Sequence, residues 1–207
     1  MHVKLVDVVL FMHIFIAIAT FGVAIVLLLS LHQMKRAATV EVLHSWERVA
    51  ARCGPLFPVL VLVLIGLGAW LIHLSGGEFR WSDGWVDTAV VGLVLMEAYG
   101  GAVLAPADKK LGELVAAAAP GPVPENVRAA VRSPKVWAGS YGNTGTALGI
   151  LFTMPTKPEA PWPIVIVAGM GILGILLGLR LSEAFETAPA TPAHAAAPVD
   201  GASEATA

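Results

Sequence analysis

Apolar residues fall into five long blocks, separated by shorter polar stretches. The blocks cover about residues 8–31, 54–74, 85–106, 136–155 and 162–181. Each holds about 20 residues, the length a helix rising about 1.5 Å per residue needs to cross a hydrocarbon core about 30 Å thick. None alternates in polarity as barrel strands do, and every backbone amide in lipid needs an internal partner. The pattern therefore predicts an all-α membrane protein: a bundle of five transmembrane helices, with a four-helix core plus a C-terminal span, over residues 1–182. The fourth block carries Ser140, Tyr141, Asn143, Thr144 and Thr146, which predicts a span shielded from lipid by the others. Residues 183–207 form a cytoplasmic tail rich in Ala, Pro and Thr, and disorder is expected from about Thr187, because so little apolar surface cannot offset the entropy of ordering.

Composition agrees. The chain is 57% hydrophobic and 14% charged, against the roughly 25% charge of a soluble domain, so lipid is the natural solvent. Lys and Arg are divided unevenly between the polar stretches. Lys35, Arg36, Arg48, Arg52, Lys109, Lys110, Arg128, Arg132, Lys135 and Arg180 fall on one side, and Lys4, Arg80 and Lys157 on the other. The cation-rich side is expected in the cytoplasm, which orients the chain N-out/C-in. The cations follow the first block instead of preceding it, which argues against a cleaved leader. They are scattered, which argues against nucleic-acid binding. The bilayer is the expected partner, with a homo-oligomer or a second membrane protein left open.

The 107–135 connection begins as a polar continuation of the third helix and breaks at residues 120–124, PGPVP. Glu125 to Arg132 suits a short amphipathic helix, read as part of a solvated connector, with a partner-docking element as the alternative. Gly145 and Gly149, and Gly174 and Gly178, have the spacing of close helix contacts. Trp46, Trp70, Trp81, Trp85, Trp137 and Trp162 fall mostly at block ends and read as an aromatic belt. Cys53 has no second cysteine and reads as inert.

Ionisable groups inside lipid are costly, which makes them functional candidates. By helix rise, Glu97 and Asn143 each lie roughly 18 Å from the outer ends of their spans, with Thr20 and Thr144 near the same level. A buried polar layer is expected there, with Glu97 hydrogen-bonded to Asn143. It would relay protons, bind a cation or hold two helices in register. His13, in the outer half of the first span, has three readings: an axial haem ligand, a copper ligand with Met12 or His73, or a neutral histidine bonded to another helix. No nucleophile elbow, P-loop or zinc-protease motif occurs.

The first span FMHIFIAIATFGVAIVLLL, the run WERVAARCGPLFPVLVLVLIGLGAWL, Trp85 at the head of the third span and LFTMPTKP at the end of the fourth form a recognisable set. The arrangement, over about residues 5–160, resembles a group of small bacterial polytopic proteins. The group includes an uncharacterised predicted integral membrane family, the HemJ-type protoporphyrinogen oxidases and the membrane domain of CopD-type copper-resistance proteins. The resemblance implies a multi-pass protein of the bacterial cytoplasmic membrane. It implies haem b as cofactor on His13, and roles for Glu47, Lys157 and Pro158. The HemJ-type proteins use a lysine in the third span, where this chain has Glu97. The leading expectation is a membrane protein of unassigned activity that binds b-type haem through His13. The alternatives are a HemJ-like oxidoreductase acting on a porphyrinogen or quinone, and a copper or proton transport or accessory protein.

Overall fold

The structure is a computed structural model, and it describes residues 4–184. The expected disordered tail lies outside the described residues, apart from its first two positions. Among those described the chain is all helical, with no strand. The first helix, α1, covers Leu5–Arg36. An amphipathic helix α2, Val40–Cys53, turns through Gly54 and Pro55 into α3, Leu56–Leu74. Helix α4, Gly84–Tyr99, passes through a π-helical turn at Gly100–Leu104 into α5, Ala105–Ala117. Then come the short α6, Glu125–Val131, and two long helices, α7, Pro134–Thr156, and α8, Trp162–Glu183. Four stretches are long and apolar enough to cross a membrane: Leu5–Arg36, Val40–Leu74, Gly84–Ala117 and Trp162–Glu183. They leave large side chains uncovered, among them Phe11 at 65%, Ile18 at 67% and Leu62 at 68% exposure, as helices solvated by lipid do. Helix α7 is long but falls short in hydropathy, because Ser140, Asn143, Thr144, Thr146 and its glycines dilute it.

The tightest packing in the molecule joins α7 to α8. Gly145 and Gly149 face the backbone of Val167 and Met170. Gly174 and Gly178 face the Tyr141 and Trp137 carbonyls. A Cβ at Gly149 would lie 2.8 Å from the Val167 Cα, so only glycine permits this approach.

The connection between α4 and α7 is not a solvated connector. Leu111 and Val115 of α5, Val123, and Val127 and Val131 of α6 are buried with Leu31, Met34, Leu43 and Trp137 in one core. The loop ahead of α6 is pinned to the start of α2: the Val40 amide donates to the Gly121 carbonyl at 2.8 Å, and the Gly121 amide donates to Glu41 Oε1 at 3.1 Å. Trp137 is not a belt residue either. It is fully buried, its Nε1–H donates to the Val131 carbonyl at 2.9 Å, and its ring stacks with Tyr141 at 6.1 Å. Over the same ring, at 4.6 Å, lies the ammonium of Lys35. Lys35 is itself buried and donates to the Leu181 carbonyl and, at 2.9 Å, to the Ser182 carbonyl. A cation is well placed there, against the negative end of the α8 dipole.

Candidate functional site

The expected polar layer does not form as a layer. Thr20 donates to the Ile16 carbonyl at 2.7 Å and Thr144 to the Ser140 carbonyl at 2.8 Å, each within its own helix. Asn143 does reach across to α4, but its Nδ2 donates to the Met96 carbonyl at 3.3 Å. The expected bond to Glu97 is absent, and Glu97 Oε1 is buried without a partner. The reason is angular. Successive side chains on a helix point about 100° apart, so when Met96 faces α7 its neighbour Glu97 is turned off that face. Equal depth alone does not bring two groups together.

His13 packs on α3, where a Cβ at Gly68 would lie 3.3 Å from its Cε1. Its Nδ1 is buried without a hydrogen-bond partner, close to the Leu64 backbone. Glu47 of α2 packs against α5, with Oε1 3.1 Å from where a Gly112 Cβ would be, and His44 Nε2 is 4.0 Å from its other oxygen. At the far end Lys157 closes α7 in the left-handed conformation, φ 44°, and its ammonium lies 4.0 Å from the centre of the Phe79 ring, which meets Trp85 edge-on. Pro158 follows in the same turn. These residues occupy three separate places, and no common site gathers them.

What the fold does build is a cleft of about 690 Å³ between α4, α7 and α8. Its floor is the small-residue face of α7: Ala138, Gly139, Gly142, Asn143 and Thr146. One wall is α4, from Asp87 near its start to Tyr99 at its end. The other is α8, from Ile164 to Ile175. The cleft follows from the glycines. They draw α8 tightly onto α7, while α4 touches α7 through Gly92, against Ile150 and Thr146, and through the Tyr99 ring over Gly139. Tyr99 is fixed there by its hydroxyl, which donates to the Lys135 carbonyl at 3.0 Å. The lining is apolar apart from Asp87 and Thr88 at one end, Tyr99 at the other, and Asn143 and Thr146 between. The sequence held a signal for this feature in the run of small residues on α7, which presents more of them than the contact with α8 uses.

The cleft is lined by no histidine, and His13 lies on α1 with its ring edge against Gly68. Among the described residues no three His, Cys, Asp or Glu side chains come together in a metal-holding group. No family model, curated protein or solved structure matches the chain.

Proposed function

We propose that the chain is a five-span protein of the bacterial cytoplasmic membrane, oriented N-out/C-in, that binds a chain-like lipophilic molecule in the cleft between α4, α7 and α8. The observation that carries this reading is the cleft. From Asp87 to Tyr99 it runs about 18 Å along α4, more than half the thickness of a hydrocarbon core. The cleft offers about 690 Å³, within the range of small-molecule sites, and its length suits a slender molecule. Asn143 is the polar group midway, suited to orient a carbonyl or hydroxyl on the ligand.

Two observations support the fifth crossing. At 23 residues α7 is about 34 Å long. It also runs antiparallel to α8 along that length, with Trp137 near the Leu181 end of α8 and Gly149 near Val167. The polar residues of α7 are tolerated because α4 and α8 cover them. The ten-to-three division of Lys and Arg supports the orientation.

The test is extraction of the detergent-purified protein followed by mass spectrometry, with Ala168→Trp as the blocking variant. Ala168 lines the cleft on the exposed side of α8, away from the α7 contact. The expected result is one lipophilic species retained in stoichiometric amount by the wild type and lost from the folded variant. Bulk lipid alone, in equal amount in both, would sink the reading. A Soret band that disappears in His13→Ala would replace it with the haem reading and reopen the HemJ-like alternative.

A further inference from the structure

We propose that the molecule held between α4, α7 and α8 is a long-chain alcohol, its hydroxyl bound by Asn143 and Thr146; this rests on the cleft being a lipophile site. Thr146 is the exceptional residue. Five other described threonines sit in helices, Thr20, Thr88, Thr144, Thr153 and Thr156, and each donates its hydroxyl to a carbonyl three or four residues back. The Thr146 hydroxyl has no hydrogen bond among the described residues. Its methyl is turned toward Gly92 of α4 and its hydroxyl toward Gly171 of α8, where a Cβ would lie 2.7 Å from Oγ1. Glycine at that position leaves the hydroxyl free at the floor of the cleft.

Asn143 stands three residues earlier, on the same face of α7. The Met96 carbonyl can only accept, so the amide nitrogen faces it, at 3.3 Å. That contact uses one N–H and fixes the amide plane. The second N–H and Oδ1 remain. Neither Oδ1 nor the Thr146 hydroxyl is sealed in, since both side chains are half-buried and line the cleft.

Polar groups left unpaired against an apolar ligand are costly, so the ligand has to answer them. A hydrocarbon answers none. An ester or ketone carbonyl can accept from Thr146 or from the Asn143 amide, but it has nothing to donate to Oδ1. A hydroxyl does both: it donates to Oδ1 and accepts from Thr146. A charged head fits poorly in an apolar site without a counter-charge. Among the described residues no Lys, Arg or His lines the cleft to pair an anion. Asp87 lies about 7–8 Å beyond Gly92 by helix rise, too far to pair a cation held at Thr146. Beside the polar pair the walls are apolar, with Val91 and Leu95 on α4 and Ile172 on α8, and they hold the chain.

Thermal unfolding of the full chain in neutral detergent tests this with oleyl alcohol, methyl oleate, oleate and octadecene at equal mole fraction. The expected result is a rise in Tm with oleyl alcohol, and a smaller rise or none with the ester, the anion and the hydrocarbon. Thr146→Val keeps the side-chain shape and loses only a hydroxyl that bonds nothing in the protein, so the fold stands. Its apparent affinity for oleyl alcohol is expected to fall about tenfold, and Thr146→Ser is expected to retain binding. No shift with oleyl alcohol, an equal shift with methyl oleate or octadecene, or wild-type binding by Thr146→Val would overturn the proposal. Ala168→Trp separates that failure from failure of the cleft reading. Loss of every probe's shift in this variant upholds the cleft even where the hydroxyl assignment falls. An undiminished oleyl alcohol shift removes the cleft reading and the proposal with it. With no shift from any probe, the species retained on extraction decides the cleft by itself.

Discussion

The Tyr141 hydroxyl and His32 Nε2 meet at 3.1 Å, a side-chain hydrogen bond that joins α1 to α7. His32 Nδ1 lies 3.1 Å from the Leu28 carbonyl, which can only accept, so Nδ1 carries the hydrogen. In the neutral ring Nε2 is then left to accept from Tyr141. The same imidazole lies 4.8 Å from the Trp137 ring, so the bond is set within an aromatic stack.

Tyr141→Phe keeps the ring and the stack and removes this one bond. The expected loss is about 1 kcal/mol, the usual net worth of a hydrogen bond, with the orphaned Nε2 adding to it where water is excluded. Equilibrium unfolding in mixed micelles measures it. The His32→Ala, Tyr141→Phe double mutant should show non-additive losses, since both substitutions break the same bond. Fully additive losses would mean that the contact contributes nothing.

A second prediction concerns the α7–α8 seam. A Cβ at Gly174 would lie 2.8 Å from the Tyr141 carbonyl carbon and nearer still to its oxygen, and these are backbone atoms that cannot swing aside. Gly174→Ala therefore has to push the helices apart, with an expected loss of about 1–3 kcal/mol or more. Gly169→Ala on the same helix meets nothing within 4 Å and serves as the control, with no loss of packing expected. Equal effects of the two substitutions on unfolding would refute the seam as described.

How much of this was legible beforehand follows from what each signal encodes. Block length and apolarity report solvent, so α1, α3, α4 and α8 stood out. The glycine spacings report close approach, and the structure uses both pairs. Trp137 sat at a block end and read as a belt residue. One-dimensional position cannot distinguish a ring facing headgroups from a ring under α6. Helix α2 falls in the polar stretch between the first two apolar blocks, although Val40, Leu43 and Trp46 recur every three residues and mark a helix face. Glu97 and Asn143 matched in depth but not in azimuth, and azimuth is fixed by which helices are neighbours. Neighbour relations also determine the cleft, of which the chain itself shows only the run of small residues on α7.

The last prediction is a pH dependence. Asp108 lies on α5, just past the apolar block that ends at about residue 106 and beside Lys109 and Lys110. Its carboxyl is pushed up from 3.8 to about 6, first by desolvation where α5 meets α2 and then by the neighbouring Glu47 carboxylate. The folded state therefore holds the Asp108 proton more tightly than the unfolded chain does. The resulting stabilisation is fully present below pH 3.8 and is lost as the pH rises through about 6. The side chain is exposed, so solvent screens part of the effect and the slope is shallower than the whole shift implies. Unfolding measured across pH 4–6 should show stability falling with rising pH in the wild type and a flatter profile in Asp108→Asn. Glu47→Gln should flatten it only in part, because it removes the smaller of the two causes. An Asp108→Asn profile as steep as the wild type would show that some other group sets the slope.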